Sequence, residues 1–229
     1  MTLRTEADIA EALEALRRAD PRLEPVILMA GTLPLRRLAP GLPGLLRTIM
    51  GQQVSTASAD AIFARLEAEI DLTDPEALLT APDEAFRRAG LSRAKHRTAL
   101  AIAQAMMEGR LDLAGIEEAE SHEAVSALVA VHGIGRWTAE CHLLFAAGHP
   151  DIFPAGDLAL QVAVAHAFAL PERVKEKPLA AMAELWSPAR SVAARLFWAY
   201  YRSLTRRDGA PVGPSADAGN EVTTRLPPR

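Results

Sequence analysis

The sequence predicts an all-α protein built as two helical lobes with a cleft between them. Alanine and leucine are abundant while β-branched runs stay short. Helix start and stop signals recur at close intervals, and the stretches between them are brief. The first predicted helix covers residues 6–19 and ends at Asp20-Pro21. Residues 22–43 carry Pro25, Gly31, Pro34, Pro40, Gly41 and Pro43, which predicts an irregular arm with one short helix at 26–30. Helices are predicted at 45–51 and at 56–69, the second capped by Ser55. Asp74-Pro75 supplies an N-cap and a first-turn proline for 76–79. Pro82 opens 83–89, which Gly90 closes, and Ser92 caps a long helix through Met107 that Gly109 closes. Ser121 is expected to cap the helix that runs into Gly133-Ile134-Gly135, and a further helix starts near Arg136. After Asp157 come helices at 158–169, 179–185 and 189–205. The expected organisation has four parts. Residues 1–43 form an N-terminal helix and arm on the second lobe, and 44–155 a lobe holding the hairpin at about 128–145. Residues 156–205 complete the second lobe, and the Gly-, Pro- and Ser-bearing tail 206–229 is disordered.

Composition narrows the function classes. The chain has 229 residues, 49% of them hydrophobic, enough for one sizeable globular unit or two small lobes. Apolar runs such as 159–170 are too short to span a bilayer, and the start is an amphipathic helix rather than a signal sequence, so no membrane partner is expected. A single cysteine, Cys141, excludes an internal disulfide and a cysteine-ligated iron–sulfur cluster, which points to a cytoplasmic protein. The net charge of −4 is unevenly spread. Residues 60–84 hold eight acids and one arginine, whereas 187–207 hold five arginines and no acid. Such a distribution is compatible with a polyanion bound on one side, although solvated helix faces explain it more simply.

The most informative stretch is 128–157, LVAVHGIGRWTAECHLLFAAGHPDIFPAGD. Gly133 and Gly135 bracket one apolar residue, so the backbone can turn sharply and expose successive N–H groups at the start of the next helix. Those amides and the helix dipole favour an anion such as phosphate. Asp157 follows Phe153-Pro154-Ala155-Gly156 and precedes an apolar run, the position of a helix N-cap. Capping and catalysis are both open to it.

Four segments, in this order, resemble the helix–hairpin–helix (HhH-GPD) DNA glycosylases, in the 3-methyladenine DNA glycosylase II (AlkA-type) branch. They are TIMGQQVS at 48–55, LSRAK at 91–95, the hairpin through Asp157, and WSPARS at 186–191. The acid stands 22 residues after the second hairpin glycine. The resemblance implies an enzyme that flips a damaged nucleotide from duplex DNA into the cleft and hydrolyses its glycosidic bond. It implies Asp157 as the catalytic acid, Trp198 and Cys141 in the base pocket, and Gln53 as the wedge filling the vacated stack. The remaining DNA contacts would be His132, Gly133, Gly135, Arg136, Thr138 and Lys95. The carbonyls of Val129, Val131 and Ile134 would bind Na⁺ or K⁺, and no other cofactor is required. Relatives that also cut the strand carry a lysine where Trp137 stands, so the expectation is a monofunctional enzyme with no lyase chemistry. Alkylated purines of the 3-methyladenine and 7-methylguanine type are the expected substrates. Deaminated or etheno bases, or a non-catalytic DNA-binding module, are the alternatives. A monomer is expected. Trp137 and Trp186 read as core, and Cys141 is also simply a small buried hydrophobe.

Overall fold

The computed structural model describes residues 2–206 and 209–212. Its elements are helical throughout, with thirteen α-helices and no strand among the described residues. Helix α1 (Glu6–Ala19) opens with a capping box, in which Thr5 accepts from the Asp8 amide and Asp8 accepts from the Thr5 amide. It stops at Asp20, whose carboxylate accepts the indole N–H of buried Trp186 at 3.1 Å. Helix α2 (Glu24–Ala30) leads into the irregular arm, and α3 (Gly41–Met50) follows. The start of α3 lies four residues ahead of the predicted one because Pro43 falls in its first turn, where a missing N–H costs nothing.

Helices α4 (Thr56–Glu67), α5 (Pro75–Thr80), α6 (Asp83–Ala89) and α7 (Arg93–Met107) take the predicted caps. Ser55, Asp74 and Ser92 accept first-turn amides, and Gly90 closes α6 at φ +93°. Helix α8 (Leu113–Glu118) escapes sequence periodicity, since six residues are too few to show it. In α9 (Ser121–Val129) Ser121 is the first helical residue and not the cap, and its hydroxyl donates to the Asp151 carbonyl at 3.0 Å. Helix α10 (Arg136–His142) widens into a π-turn over Leu143–Ala147. The last three are α11 (Leu158–Ala167), α12 (Glu176–Ala183) and α13 (Arg190–Thr205).

Helix α3 packs on α4, α7, α8 and α10, with α5 laid on α7 and α6 on α4, to form one lobe. In the other, α13 is flanked by α2 and α11, with α1 beside it. A single apolar core runs through both, with Leu45, Leu128, Phe145, Leu160 and Phe197 all sealed from solvent.

Two expectations change. The basic run 187–207 is not wholly the solvated helix surface that was the simpler reading of its charge. Arg190 forms a two-pronged pair with Asp151 (Nε–Oδ1 and Nη2–Oδ2, both 2.8 Å), and Arg195 is buried, donating to the carbonyls of Leu35, Arg36 and Leu144. The disordered-tail expectation also fails over 209–212, where Ala210 and Val212 are buried and Arg36 Nη1 donates to the Val212 carbonyl at 2.6 Å. Residues 207–208 and 213–229 lie outside the described residues.

Candidate active site

The acid loop is fixed before it reaches Asp157. Ser191 at the start of α13 donates its amide to the Pro150 carbonyl (2.9 Å), and its hydroxyl bridges the Ile152 amide and carbonyl. With the Arg190–Asp151 pair, this is what the WSPARS segment does: it clamps residues 150–152. Further along, the buried Gln161 side chain donates to the Ala155 carbonyl at 2.8 Å, and the Asp157 amide donates to Pro154 at 2.9 Å. Asp157 then opens α11 as a true N-cap, Oδ1 accepting from the amides of Ala159 (2.9 Å) and Leu160 (3.0 Å).

The same carboxylate is gripped by two indoles. Trp198 Nε1 on α13 donates to Oδ1 at 3.2 Å, and Trp137 Nε1 on α10 donates to Oδ2 at 3.0 Å. Asp157 is half-buried between Gly156 and Leu158, both exposed. Oδ1 thus has three donors and Oδ2 one, leaving Oδ2 with acceptor capacity. Trp137 is therefore not plain core: it is half-buried and holds the acid. Its position in GIGRWTA could have suggested this, being the place where a relative's reactive amine would stand.

Helix α10 also holds the GQQVS turn. Gln52 Nε2 donates to Thr138 Oγ1 at 2.8 Å, and Thr138 is buried, so its hydroxyl braces that turn instead of facing a ligand. Lys95 has a similar inward task. Its ammonium donates to the carbonyls of Met50 (3.0 Å) and Gln52 (2.8 Å), satisfying the end of α3, and burial lowers its pKa. Gln53 is left exposed at the apex with φ +58°, beside exposed Val54. Adjacent residues of α10 thus tie the acid through Trp137 and the apex through Thr138.

The hairpin lies against α7. Gly133 has φ +87°, and a Cβ there would stand 1.9 Å from Thr98 Oγ1, so only glycine fits. Gly135 has open space around it, and His132 is exposed. The turn closes with the Ile134 amide donating to the Val131 carbonyl at 3.1 Å. Val129 ends α9, where carbonyls lose intrahelical partners. Arg136 is exposed but paired through Nε with Glu140 Oε1 at 2.9 Å. Burial pushes the Glu140 carboxyl up to about 7 against the opposing pull of Arg136.

Trp198 lies on Phe145 (centroids 5.5 Å apart, 27° between planes), and the Arg195 guanidinium sits 4.9 Å from the Phe145 centroid. These three, with Pro34, Arg36, Ala199 and Ala210, enclose a cavity of about 10 Å³. Cys141 is sealed in the core behind the acid. Burial first, then the charges of Asp157 and Glu140, push its thiol upward, so it stays protonated and does not reach the cavity. Phe145 and Arg195 escaped sequence reasoning because LLFAA and SVAARLFW read as ordinary apolar helix.

The chain is similar in sequence and fold to known proteins. The chain is 30% identical over 160 residues to DNA-3-methyladenine glycosylase 1 of Schizosaccharomyces pombe, covering 67% of this chain and 69% of that protein. It superposes on a DNA-3-methyladenine glycosidase from Bacillus halodurans with a TM-score of 0.77 at 28% identity, covering 92% and 96% of the two chains. The S. pombe 3-methyladenine DNA glycosylase solved in complex with abasic DNA gives 0.72 at 25% identity, covering 84% and 95%. Residues 46–190, from α3 to the first residue of α13, match the HhH-GPD superfamily base excision DNA repair proteins, and the chain belongs to that family.

Proposed function

We propose that the protein is a DNA glycosylase of base excision repair that removes alkylated purines from duplex DNA and leaves an abasic site. The observation that carries this is the placement of Asp157, a capping carboxylate held by two indole N–H groups next to an aromatic cavity. A cap alone needs only the amides of Ala159 and Leu160.

Breaking the C1′–N bond builds positive charge on the sugar. A fixed carboxylate facing that carbon stabilises the developing cation, and its free Oδ2 lone pair can accept a proton from the attacking water. An alkylated purine already leaves as a neutral base, so one acid is enough. With Trp137 where strand-cutting relatives carry lysine, no amine stands there to form a Schiff base. Trp198, stacked on Phe145 and bonded to the acid, is the electron-rich ring we assign to a cationic methylated purine.

Gln53, exposed at the apex of its braced turn, suits the wedge that replaces the flipped base. The phosphate contact falls to the hairpin, with Gly135 open to a close approach and the first amides of α10, His132 and Arg136 around it. Arg136 would exchange Glu140 for phosphate. The carbonyls of Val129, Val131 and Ile134 suit a monovalent cation, because one ends a helix and the turn brings the others near. Such an ion would supply positive charge beside a DNA phosphate. A cytoplasmic monomer is the working state we assign.

The test is incubation with duplexes carrying 3-methyladenine or 7-methylguanine, followed by chromatography of released base and gel analysis with and without alkali. Free base and strand breaks only after alkali are the expected results. Breaks without alkali contradict the monofunctional reading. Release of etheno or deaminated bases alone contradicts the substrate class, and release from no lesion contradicts the enzyme.

A further inference from the structure

The turn that carries Gln53 is held more firmly than a surface turn needs. Gln52, the residue before the apex, is tied at three points. Its amide donates to the Ile49 carbonyl at 3.1 Å, its carbonyl accepts from the Lys95 ammonium at 2.8 Å, and its Nε2 donates to Thr138 Oγ1 at 2.8 Å. Lys95 also holds the Met50 carbonyl at 3.0 Å, so the turn is fastened to α7 on one side and to α10 on the other. Past the apex, Ser55 starts α4 by accepting the Ser58 amide at 3.2 Å. Between these anchors stand only Gln53 and Val54, both exposed, and the Gln53 side chain makes no hydrogen bond among the described residues.

Gln53 stands at φ +58°, in the left-handed region that a residue with a Cβ enters only at a cost. Such a backbone persists where the surrounding structure over-determines it. Here the surroundings are the bonds of Gln52, since the apex side chain makes none of its own. The link to α10 joins two side chains, so it can be removed without touching the backbone of either element. Thr138 is buried and directly follows Trp137, whose indole holds Asp157. Displacing a base from the duplex costs unpairing and unstacking. A wedge already set in its inserting conformation adds no ordering cost at that step, whereas a slack turn does.

From this we infer that Gln52 and Thr138 are positioning residues for base flipping, their hydrogen bond holding the Gln53 backbone in the conformation that presents its side chain to the duplex. The inference rests on the reading of Gln53 as the wedge and adds to it the residues that make the wedge rigid. Thr138 acts through Gln52, across 86 positions of sequence, and not by contact with a ligand. Thr138→Val keeps the branched shape and removes the acceptor, whereas Thr138→Ser keeps the acceptor. Gln52→Met breaks the same bond from the side of the turn.

The experiment measures single-turnover release of 7-methylguanine from duplex DNA by the full-length protein. It compares wild type, Thr138→Val, Thr138→Ser, Gln52→Met, Gln53→Ala and the double variant Thr138→Val with Gln53→Ala, each checked for folding by its melting curve. We expect Thr138→Val and Gln52→Met each to slow release by about 10-fold, and Thr138→Ser to stay within about 2-fold of wild type. Added to Gln53→Ala, Thr138→Val should cost less than about 2-fold more, because a wedge that is gone cannot be mispositioned. A full additional loss in the double variant means that Thr138 acts through Trp137 or the fold, and overturns the inference. Folded Thr138→Val and Gln52→Met proteins that release base at the wild-type rate overturn it too, and both results leave the glycosylase reading intact. Gln53→Ala at the wild-type rate overturns the wedge and this inference with it. A wild type that releases no base overturns the enzyme reading as well.

Discussion

Replacing Trp137 by phenylalanine removes one hydrogen bond from Asp157 and little else. The indole N–H donates to Oδ2 at 3.0 Å, and Oδ2 is the oxygen with a single protein donor. Oδ1 keeps Ala159, Leu160 and Trp198 in the variant, so the carboxylate remains a cap and α11 stays in place. What is lost is the constraint on Oδ2, the oxygen proposed to act on the sugar and water. A hydrogen bond to a charged group contributes about 1.5–3 kcal/mol, so the single-turnover rate on 7-methylguanine duplex should fall by roughly 10-fold to 150-fold. The apparent KM should change little, since the interaction orients the acid and does not touch the DNA backbone. Trp198→Phe provides the contrast: two backbone amides still hold Oδ1, and any loss comes with weaker stacking on the base, which raises KM as well. A Trp137→Phe rate within about 2-fold of wild type, with the variant folded, would refute the claim that this indole positions the acid.

Stability should respond to pH through two neighbours on α10. Burial holds Glu140 up to about 7, so the folded state keeps a proton that the unfolded chain releases near 4.5, and stability falls as pH rises through that window. Burial depresses His142 to about 4 from 6.5, and neither ring nitrogen has a partner, so stability falls instead as pH drops through its window. The two slopes, each about 1.4 kcal/mol per pH unit, oppose one another where the windows overlap. Urea midpoints should then be nearly level between pH 4.5 and 6.5 in wild type, whereas Glu140→Gln should lose roughly 3 kcal/mol on acidification across that range. Matching profiles would contradict the assignment.

Gly133→Ala meets Thr98 Oγ1 at 1.9 Å with φ +87°, and should cost about 3 kcal/mol, read as a melting temperature lower by roughly 10 °C. Gly135→Ala, with open space around it, should melt like wild type and lose DNA affinity instead. Lys95→Met should destabilise by about 1–2 kcal/mol by exposing the Met50 and Gln52 carbonyls, yet leave the salt dependence of DNA binding unchanged. A salt slope reduced by about 1 would mean that Lys95 contacts phosphate after all.

Much of this fold was legible because its helices announce themselves locally. Ser55, Asp74 and Ser92 cap where short polar side chains precede apolar periodicity, and Gly90 stops where a left-handed residue is needed. Helix α8 was not legible, being too short for a period and lacking a side-chain cap bond. At the site, Asp157 and the hairpin glycines stood out because their spacing is set by backbone geometry along one chain segment. Trp137 stood out only as the absence of a lysine; its hold on the acid, like the places of Phe145 and Arg195, comes from a residue far away in sequence: Asp157, Trp198 and the carbonyl of Leu35. Charge misled for the same reason. The basic run at 187–207 contains Arg190, neutralised by Asp151, and Arg195, spent on backbone carbonyls, and neither pairing is visible in a local count. Lys95 looked like a phosphate ligand because sequence shows its charge and not the helix end beneath it.

If Asp157 does chemistry as well as capping, Asp157→Asn separates the two roles. Asparagine keeps a side-chain oxygen for the Ala159 and Leu160 amides, so α11 stays capped, while its NH2 replaces Oδ2 opposite the Trp137 N–H and should lower stability by about 1–3 kcal/mol without unfolding the protein. It removes the negative charge proposed to stabilise the sugar cation. Single-turnover release of 7-methylguanine should therefore drop by at least about 100-fold while affinity for abasic duplex is retained. A folded Asp157→Asn protein that releases the base at the wild-type rate would contradict the account.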